Sequence, residues 1–187
     1  MTRKEQKEEK KNKILMTALE LFVRKGYYDT KITDIAQAVP MSVGLLFHYF
    51  ESKEVLLREL VKMGAAGTRS VNMPEGVPPD IYLVKFLEQL FAFADDSPWV
   101  FNMFVLMGQA RRPGMPEEAR NIASSVDTVD YTAKMISEGQ KAKIFHEGDP
   151  VTMSRCFWAS VQGIMEEMAL YKEMTPPDPE WIVGMLR

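Results

Sequence analysis

The stretch that decides the fold covers residues 14–57 and reads ILMTALELFVRKGYYDTKITDIAQAVPMSVGLLFHYFESKEVLL. Its first third places apolar residues at helical spacing, which indicates an amphipathic helix over residues 7–25 with one buried face. Gly26 follows two cations. This order is typical of a helix C-terminus, where cations suit the negative helix end and glycine accepts a left-handed backbone. We therefore expect the first helix to end at Gly26.

Two very short helices follow the first helix. The sequence predicts that one opens at Thr30 or Lys31, with Thr30 the better cap, and that the next runs from the N-cap Ser42 to about Phe50. The small residue Ala36 would let the two helices cross closely. Two short helices joined by a short turn and braced by longer ones form the layout of a helix-turn-helix.

The rest of the chain reads as longer helices separated by proline- and glycine-rich breaks, and no segment alternates as a strand would. We therefore predict an all-α fold of about nine helices, with an N-terminal helix-turn-helix domain over residues 1–66 and a C-terminal helical ligand-binding and dimerisation domain over residues 67–187. The further predicted segments are a helix capped by Ser52 and ending near residue 66, a boundary loop over 67–79, and helices over 80–95, 98–111, 116–144, 150–173 and 178–186.

Composition narrows the class of protein. The 187 residues are 46% hydrophobic, enough for a core, and no apolar run is long enough to cross a bilayer. The charged N-terminus lacks the apolar region of a secretory signal. Cys156 is the only cysteine, so no intrachain disulfide can form, and we expect a cytoplasmic protein in which Cys156 is an inert core thiol.

Charge is distributed unevenly along the chain, although the net charge is only -3. Residues 1–63 hold 12 Lys and Arg against nine Asp and Glu, whereas residues 64–187 hold 11 against 17. A mildly basic head on an acidic body suits a protein that presents one end to phosphates. The same imbalance is also consistent with an ordinary solvated surface.

At this point the sequence resembles a known family. Residues 14–57 resemble the DNA-binding region of TetR-type (tetracycline-repressor-like) bacterial regulators, and residues 135–168 resemble the last two long helices of many such proteins. The first resemblance rests on these residues: Ala18, Leu21, Phe22, Gly26, Tyr27, Thr30, Ile32, Ile35, Ala36, Ser42, Gly44, Leu46, His48, Tyr49, Phe50, Ser52, Lys53 and Glu54.

The resemblance implies a homodimer that binds a roughly palindromic operator on double-stranded DNA and releases it when a small-molecule effector enters the C-terminal domain. It implies no cofactor and no metal. On this hypothesis the effector moves the helix that starts near Lys53, which changes the spacing of the two recognition helices. The residues predicted to bind DNA are Thr30, Lys31, Ser42, Val43, Gly44, Leu45, Phe47, His48, Tyr49 and Lys53.

Several of these positions depart from the family pattern. Pro40 stands where the turn usually has glycine, and since proline fixes φ negative we expect a turn built differently. Val43 and Leu45 replace residues that are often polar, and Phe47 replaces a frequent tyrosine. The recognition helix is therefore unusually apolar, which favours contact with thymine methyl groups or, alternatively, weak operator binding.

The C-terminal half is rich in methionine and aromatic residues, and 14 methionines occur in the whole chain. Such residues at helical spacing most often form a hydrophobic core. A deformable apolar interior with few polar groups also suits the binding of an apolar or aromatic effector. The polar contacts we expect are Gln109, Tyr131 and Gln162. The full predicted pocket is Phe86, Leu90, Phe93, Trp99, Met103, Phe104, Met107, Gln109, Tyr131, Phe157, Trp158, Val161, Gln162 and Met165.

Within the resemblance, the dimer interface lies on the helices over 150–173 and 178–186, which would form a four-helix bundle with their copies. Small residues on the first of these helices allow close packing. The residues predicted at this interface are Ala159, Ser160, Gly163, Glu167, Trp181 and Met185.

Three alternatives remain at the level of sequence. An enzyme is disfavoured because no nucleophile motif or phosphate-binding loop is present; His146, Glu147 and Asp149 form a weak metal motif more typical of a solvated loop. A helical ligand-binding or interaction protein that has lost DNA binding is motivated by Pro40 and the apolar recognition helix. An activator is not distinguished from a repressor.

Overall fold

A computed structural model describes residues 2–69, 76–171 and 173–187 of the chain, and these residues form ten α-helices and no strand. The all-α prediction is confirmed. None of the described helices is long and apolar enough to cross a membrane. In chain order the helices are α1 (Arg3–Lys25), α2 (Ile32–Ala38), α3 (Val43–Tyr49), α4 (Lys53–Arg69), α5 (Pro79–Asp96), α6 (Trp99–Ala110), α7 (Glu117–Ser124), α8 (Thr128–Lys141), α9 (Pro150–Leu170) and α10 (Pro179–Gly184).

Helix α1 begins four residues earlier than the apolar periodicity predicts. Thr2 and Glu5 form a capping box, in which the Glu5 N–H donates to the Thr2 hydroxyl at 3.2 Å and the Thr2 N–H donates to the Glu5 carboxylate at 2.7 Å. The box satisfies two free backbone donors of the first turn and so fixes the start of the helix. Gly26 ends it, with φ of 91°.

The helix predicted over residues 116–144 is in fact two helices, α7 and α8. The Ser125 N–H closes the last turn of α7, and the Asp127 side chain starts α8 by accepting from the Asp130 N–H at 2.9 Å. The segment between them is short enough to keep the apolar periodicity almost in phase, which is why a single long helix was predicted.

Two hydrophobic clusters organise the described residues. The first joins α1–α4 to one face of α6 and to α7 through Met103, Leu106, Met107, Ala119 and Ala123. The second joins α5, the other end of α6 and α8–α10 around the buried side chains of Phe157, Val161 and Met165.

The predicted division at residue 66 remains a prediction, and part of the predicted boundary loop, residues 70–75, lies outside the described residues. The apolar packing of the N-terminal unit does not stop at α4, because α6 contributes to both clusters. Helix α6 therefore connects the two clusters, and α7 also packs against the N-terminal unit.

Candidate DNA-binding face and sensor region

Helices α2 and α3 pack through small and apolar residues, as the sequence predicts for a helix-turn-helix. Ile35 and Ala36 on α2 are buried, as are Leu46 and the C-cap Phe50 of α3. Ser42 caps α3 by accepting from the Leu45 N–H at 3.2 Å. Because Leu46 and Phe50 pack into the core, the residues on the opposite side of α3 are accessible.

The turn between α2 and α3 contains a strained proline. Pro40 has φ of 28°, although its ring favours about -65°. The Met41 N–H donates to the Ala36 carbonyl, five residues earlier, at 2.9 Å. This hydrogen bond is typical of a helix that ends with a left-handed residue, here Pro40, directly after its C-cap. The expectation of a differently built turn was wrong, because the chain keeps the glycine-type geometry and places proline in it.

The outer side of α3 is short, apolar and free of Lys and Arg. Gly44 and His48 are exposed, and Leu45 and Phe47 are 41% and 45% exposed. A Cβ added to Gly44 would meet nothing within 4 Å, so open space lies beside the helix. This face can offer apolar contacts and one imidazole to a groove.

The remaining predicted contacts on this side differ in access. Ser42 and Lys31 are exposed, whereas Val43 and Tyr49 are half-buried and pack against the first cluster. Lys31 lies at the start of α2, where its backbone N–H donates to Asp34 at 3.1 Å. Lys31 is therefore an exposed cation of the helix-turn-helix itself.

Thr30 and Lys53, which the sequence assigned to DNA, face inward. The Thr30 side chain is buried, and its hydroxyl donates to the Gly26 carbonyl at 2.7 Å, with the Leu21 carbonyl 3.2 Å from the same oxygen. Thr30 does not cap α2 as predicted, because Lys31 occupies the N-cap position.

The Lys53 ammonium donates to the carbonyls of Tyr27 at 2.7 Å, Thr30 at 2.9 Å and Tyr28 at 3.3 Å, and lies 4.4 Å from the centre of the Tyr27 ring. Its three N–H bonds are thus committed to the loop between α1 and α2. Desolvation lowers the pKa of Lys53, and burial raises the pKa of Tyr27 to about 12.

The predicted effector-pocket residues are divided between the two hydrophobic clusters and the surface. Met103 and Met107 belong to the first cluster and face α4, where a Cβ on Gly64 would lie 2.9 Å and 2.7 Å from their respective sulfur atoms. Phe93 and Trp99 are instead exposed, at 54% and 37%, and contact each other edge to face. These four residues therefore do not join the single compact pocket that the sequence predicts.

The other apolar members of the predicted pocket do meet. Phe157, Val161 and Met165 are buried in the second cluster, and the half-buried Phe86 and Trp158 pack edge to face with ring centres 6.0 Å apart. Leu90, Phe104 and Tyr131 are half-buried against the same cluster.

Three polar side chains lie in this region: Gln162 and Gln109, which the sequence predicts, and Thr132. Gln162 donates to the Phe104 carbonyl at 3.0 Å and to Glu166 at 2.8 Å. Gln109 is half-buried on α6. The Trp158 indole N–H donates to Thr132, which is buried. The sequence analysis missed Thr132. It could have been found because a half-buried indole usually needs a hydrogen-bond acceptor.

Two concave regions lie away from the predicted pocket. A groove of about 670 Å³ is lined by the end of α5 and by the segment between α9 and α10, including Phe91 and Met174. A smaller cleft of about 220 Å³ lies between the starts of α4 and α7, and Arg58 and Glu118 face each other across it at 3.2 Å. Neither region contains a residue predicted to bind an effector.

A row of small and polar residues is accessible on α9. Ala159, Gly163 and Glu167 are exposed and Ser160 is half-buried. Cys156 continues this row and is exposed, so its prediction as a core thiol was wrong; the helix rotates it to the outside.

Large apolar residues are also exposed at the chain's C-terminal end. Trp181 is 76% exposed and Met185 is 40% exposed, and Leu170 and Tyr171 at the end of α9 are more than half exposed. The last two were missed by the sequence analysis, because they follow the helical pattern of the core residues before them. Burial of such side chains against a partner is favourable.

His146 is tied to the C-terminus instead of forming part of a metal cluster. Its backbone N–H donates to the Leu186 carbonyl at 3.0 Å, and its ring nitrogens lie 2.8 Å and 3.1 Å from the carbonyls of Glu147 and Met185. Asp149 caps α9. Among the described residues, no group of three His, Cys, Asp or Glu is placed to hold a metal ion.

Comparisons with known proteins agree with this geometry. Residues 14–60 match the family described as bacterial regulatory proteins, tetR family. The chain is 26% identical to the HTH-type transcriptional regulator RutR of Escherichia coli O157:H7 over 157 residues, which is 82% of this chain and 72% of that protein.

Solved structures show the same fold. A tetR-family transcriptional regulator from Agrobacterium tumefaciens superposes with a TM-score of 0.73 at 20% identity, covering 96% of this chain and 98% of that one. AibR, solved in complex with isovaleryl coenzyme A and operator DNA, superposes with a TM-score of 0.71 at 18% identity, covering 95% and 97%.

Proposed function

The chain is a tetR-type regulator, and from this premise we propose that it is a ligand-responsive transcriptional repressor that binds a palindromic operator as a homodimer. The observation that carries the proposal is the α2–α3 pair, whose second helix is anchored by Leu46 and presents an accessible face within the matched segment. Such a regulator acts where the chromosome lies, in the cytoplasm.

The operator contacts divide into two kinds. Leu45, Val43 and Phe47 are suited to thymine methyl groups in the major groove, and His48 can read a base edge. Lys31 and the backbone around Ser42 are suited to phosphates, which fix the position of α3 without reading sequence. Gly44 allows close approach of the helix to the DNA, and Tyr49 braces it from the core side.

The effector that this interior suits is apolar or aromatic, and its site lies among α5, α6, α8 and α9. The half-buried Phe86, Phe104 and Trp158 border the second cluster and are the side chains that would have to move to admit it. Gln162, Gln109 and Tyr131 supply polar groups at its edge. AibR, whose structure holds both an acyl coenzyme A and operator DNA, is a relative in fold in which both ligands occur together.

Helix α6 provides a route from the effector site to the recognition helix. The sulfur atoms of its Met103 and Met107 lie close to Gly64 of α4, and the Tyr28 hydroxyl donates to the Gly114 carbonyl in the loop after α6. A displacement of α6 would therefore move α4 and α1–α3 together. The two recognition helices must lie about 34–36 Å apart to enter successive major grooves, so a small rotation is enough to lose the fit.

The dimer interface in this proposal is the exposed row of α9, with Ala159, Ser160, Gly163 and Glu167, together with Trp181 and Met185 of the C-terminal end. Small side chains let two copies of α9 approach closely, and the exposed apolar residues would be buried around them. Each copy then carries one recognition helix to one half of the operator.

The test is binding of the purified protein to its own upstream intergenic DNA and to a scrambled duplex, at two salt concentrations. We expect tighter binding to the upstream DNA and a steep loss of affinity with salt, since phosphate contacts release counterions. Leu45→Ala should lower the ratio of specific to non-specific affinity. Equal affinity for both duplexes, extended to a genome-wide pulldown without an enriched sequence, would contradict the proposal.

The regulatory half of the proposal is tested separately. A panel of apolar and aromatic compounds is screened by thermal shift, and each binder is then added at saturation to the protein–operator complex. We expect at least one binder to lower operator affinity, and a reporter under the upstream promoter to rise in a deletion strain. A reporter that falls in that strain would make the protein an activator.

A second candidate function is an interaction or ligand-binding protein with weakened DNA binding. The specific observation in its favour is that α3 has no Lys or Arg and exposes Leu45 and Phe47. Under this alternative the salt dependence of DNA binding would be shallow and Leu45→Ala would leave it unchanged. The first experiment above therefore separates the two functions.

A further inference from the structure

The helix-turn-helix supplies few of the cations that a DNA complex needs. Helix α3 has none, the Lys53 ammonium is committed to three backbone carbonyls, and Lys25 pairs with Asp34 at 2.7 Å. Affinity for DNA comes largely from cations that neutralise phosphates. If the proposed function holds, a source of positive charge must lie beside α3 and outside the helix-turn-helix.

The first three turns of α1 have the required charge. They extend beyond the buried part of the helix, which starts at Ile14, and their side chains are exposed except for the half-buried Lys11. At 3.6 residues per turn, five of the six cations before Ile14 fall within about 120° of the helix circumference, and the sixth, Lys13, lies outside this arc. The acidic residues fall within about 100° on the other side. The cations of this basic face are Arg3, Lys4, Lys7, Lys10 and Lys11, and the acidic residues are Glu5, Glu8 and Glu9.

The direction of the basic face follows from what it continues into. Arg3, Lys7, Lys10, Ile14 and Ala18 succeed one another at steps of four, three, four and four residues, so the basic face is the extension of the buried face. It therefore points to the side of α1 on which the rest of the domain lies.

One contact places the basic face next to the recognition helix. The Lys11 ammonium lies 5.9 Å from the centre of the Phe50 ring, and Phe50 is the C-cap of α3. From Lys11 back to Arg3 the helix covers about 12 Å, at 1.5 Å per residue. The capping box at Thr2 keeps this length helical.

We propose that the basic face of α1 is a second DNA-binding surface, which holds the phosphate backbone flanking the segment read by α3. The inference rests on the proposed function and adds the source of its electrostatic affinity. Long, flexible lysines on an exposed helix suit a backbone contact and not a base contact, so the surface should act on every DNA sequence alike.

The experiment compares two double variants of the full-length protein. Lys7→Gln with Lys10→Gln removes two cations of the basic face, and Glu8→Gln with Glu9→Gln removes two anions from the opposite side of the same turns. Glutamine keeps the helical propensity of both residues, and circular dichroism checks that the fold is unchanged. Affinity for the upstream DNA and for a scrambled duplex is measured over a series of salt concentrations.

For the lysine variant we expect the slope of log affinity against log salt to fall by about one for each phosphate that is no longer neutralised, and affinity near 0.1 M salt to fall about tenfold or more on both duplexes. The ratio between the two duplexes should not change. The glutamate variant should keep the wild-type slope.

An unchanged slope in the lysine variant, with selective binding by the wild type intact, would overturn this inference and leave the proposed function standing. Equal and opposite effects of the two variants would show an effect of net charge alone and would also overturn it. A wild type without selectivity for the upstream DNA would overturn the proposed function and this inference with it.

Discussion

At the scale of the residue, Pro40 shows how a turn can be kept with the wrong side chain. It occupies the left-handed position after α2, with φ of 28°, and has no N–H to close the shorter of the two hydrogen bonds of this helix end. A left-handed backbone costs an ordinary residue about 1–3 kcal/mol, and the proline ring, which fixes φ near -65°, makes the cost higher.

We predict that Pro40→Gly stabilises the protein by about 1–2 kcal/mol, because strain relief and a regained hydrogen bond exceed the greater entropy of the unfolded chain. Chemical denaturation gives the free energy of unfolding directly. Pro40→Ala restores the N–H without the freedom of glycine, so it should gain less. A lower stability of Pro40→Gly would show that the ring itself contributes packing that outweighs the strain.

Asp34 links α2 to α1 through an ion pair with Lys25 and a hydrogen bond from the Lys31 N–H. The hydrogen bond from Lys25, and then that from the Lys31 backbone, hold the pKa of Asp34 below its ordinary value. Its stabilising contribution is therefore present above the unfolded pKa, near 3.9, and is lost as pH falls through the lower pKa of the folded state.

We predict that Asp34→Asn lowers the melting temperature at neutral pH and that the difference from wild type disappears in acid. Lys25→Gln should cause a similar loss at neutral pH, and the double variant should be no worse than either single one. Melting curves between pH 7 and pH 3 test this. A constant difference across that range would mean that the effect comes from the helix cap and not from the charge.

Lys53 is predicted to bind phosphate because of its position at the start of a helix, and in the structure its ammonium donates to three backbone carbonyls. Position along the chain does not reveal that three carbonyls converge between α1 and α2, because only the fold brings them together.

We predict that Lys53→Met lowers the free energy of unfolding by about 2 kcal/mol, as expected for the loss of hydrogen bonds from a charged group. The salt slope of DNA binding should stay unchanged; a shallower slope in a stable variant would return Lys53 to the DNA surface.

At the scale of the element, sequence predicted most helices, because apolar periodicity is local information. Helices α1–α4 appear where the pattern of residues 14–57 places them. The break between α7 and α8 was missed because neither Gly nor Pro marks it. Asp127, three residues before Asp130, is the N-cap of α8, but an aspartate can also occur inside a helix, so its presence alone did not indicate a break.

The effector region could be predicted only as a set of apolar residues. Periodicity shows that Met103 and Phe93 lie on helices, but not which neighbour each helix turns toward. Three-dimensional packing assigns Met103 to α4 and Phe93 to solvent. The faces of a helix that contacts two clusters, as α6 does, cannot be assigned without the arrangement of the other helices.

Helix α4 supplies a test of its contact with α6. A side chain on Gly64 would press on Met103 and Met107, whereas a Cβ on Gly67 in the same helix would meet nothing within 4 Å. Replacing glycine by alanine in a helix interior gains about 1 kcal/mol where space allows.

We predict that Gly67→Ala stabilises the protein by about that amount and that Gly64→Ala falls short of it by about 1–3 kcal/mol, since overpacking displaces both methionines. Operator affinity should change only in Gly64→Ala, because that substitution pushes α4 away from α6. Equal stabilisation by both substitutions would show that the methionine side chains yield without cost, and would weaken the case for α6 as the coupling element.

At the scale of the whole molecule, the two hydrophobic clusters share α6 and leave one accessible row on α9. A single chain carries one recognition helix, whereas a palindromic operator offers two half-sites. Joining two half-site contacts in one molecule typically raises affinity by about 10²–10⁴ over either contact alone. The quaternary state and the operator affinity are therefore expected to change together.

Ala159→Arg tests this link, because a long cation in the middle of the exposed row would separate two copies of α9. By light scattering we predict the mass of one chain for this variant and the mass of two chains for the wild type, together with a loss of operator affinity of about 10²-fold or more in the variant. Ala142→Arg, at the exposed end of α8, is the matched control and should leave both properties unchanged. A dimeric Ala159→Arg protein would move the interface away from the middle of α9, for which the exposed Leu170 and Tyr171 at the end of that helix are the nearest apolar candidates. A monomer with full operator affinity would instead mean that one recognition helix, supported by the basic face of α1, is sufficient for binding.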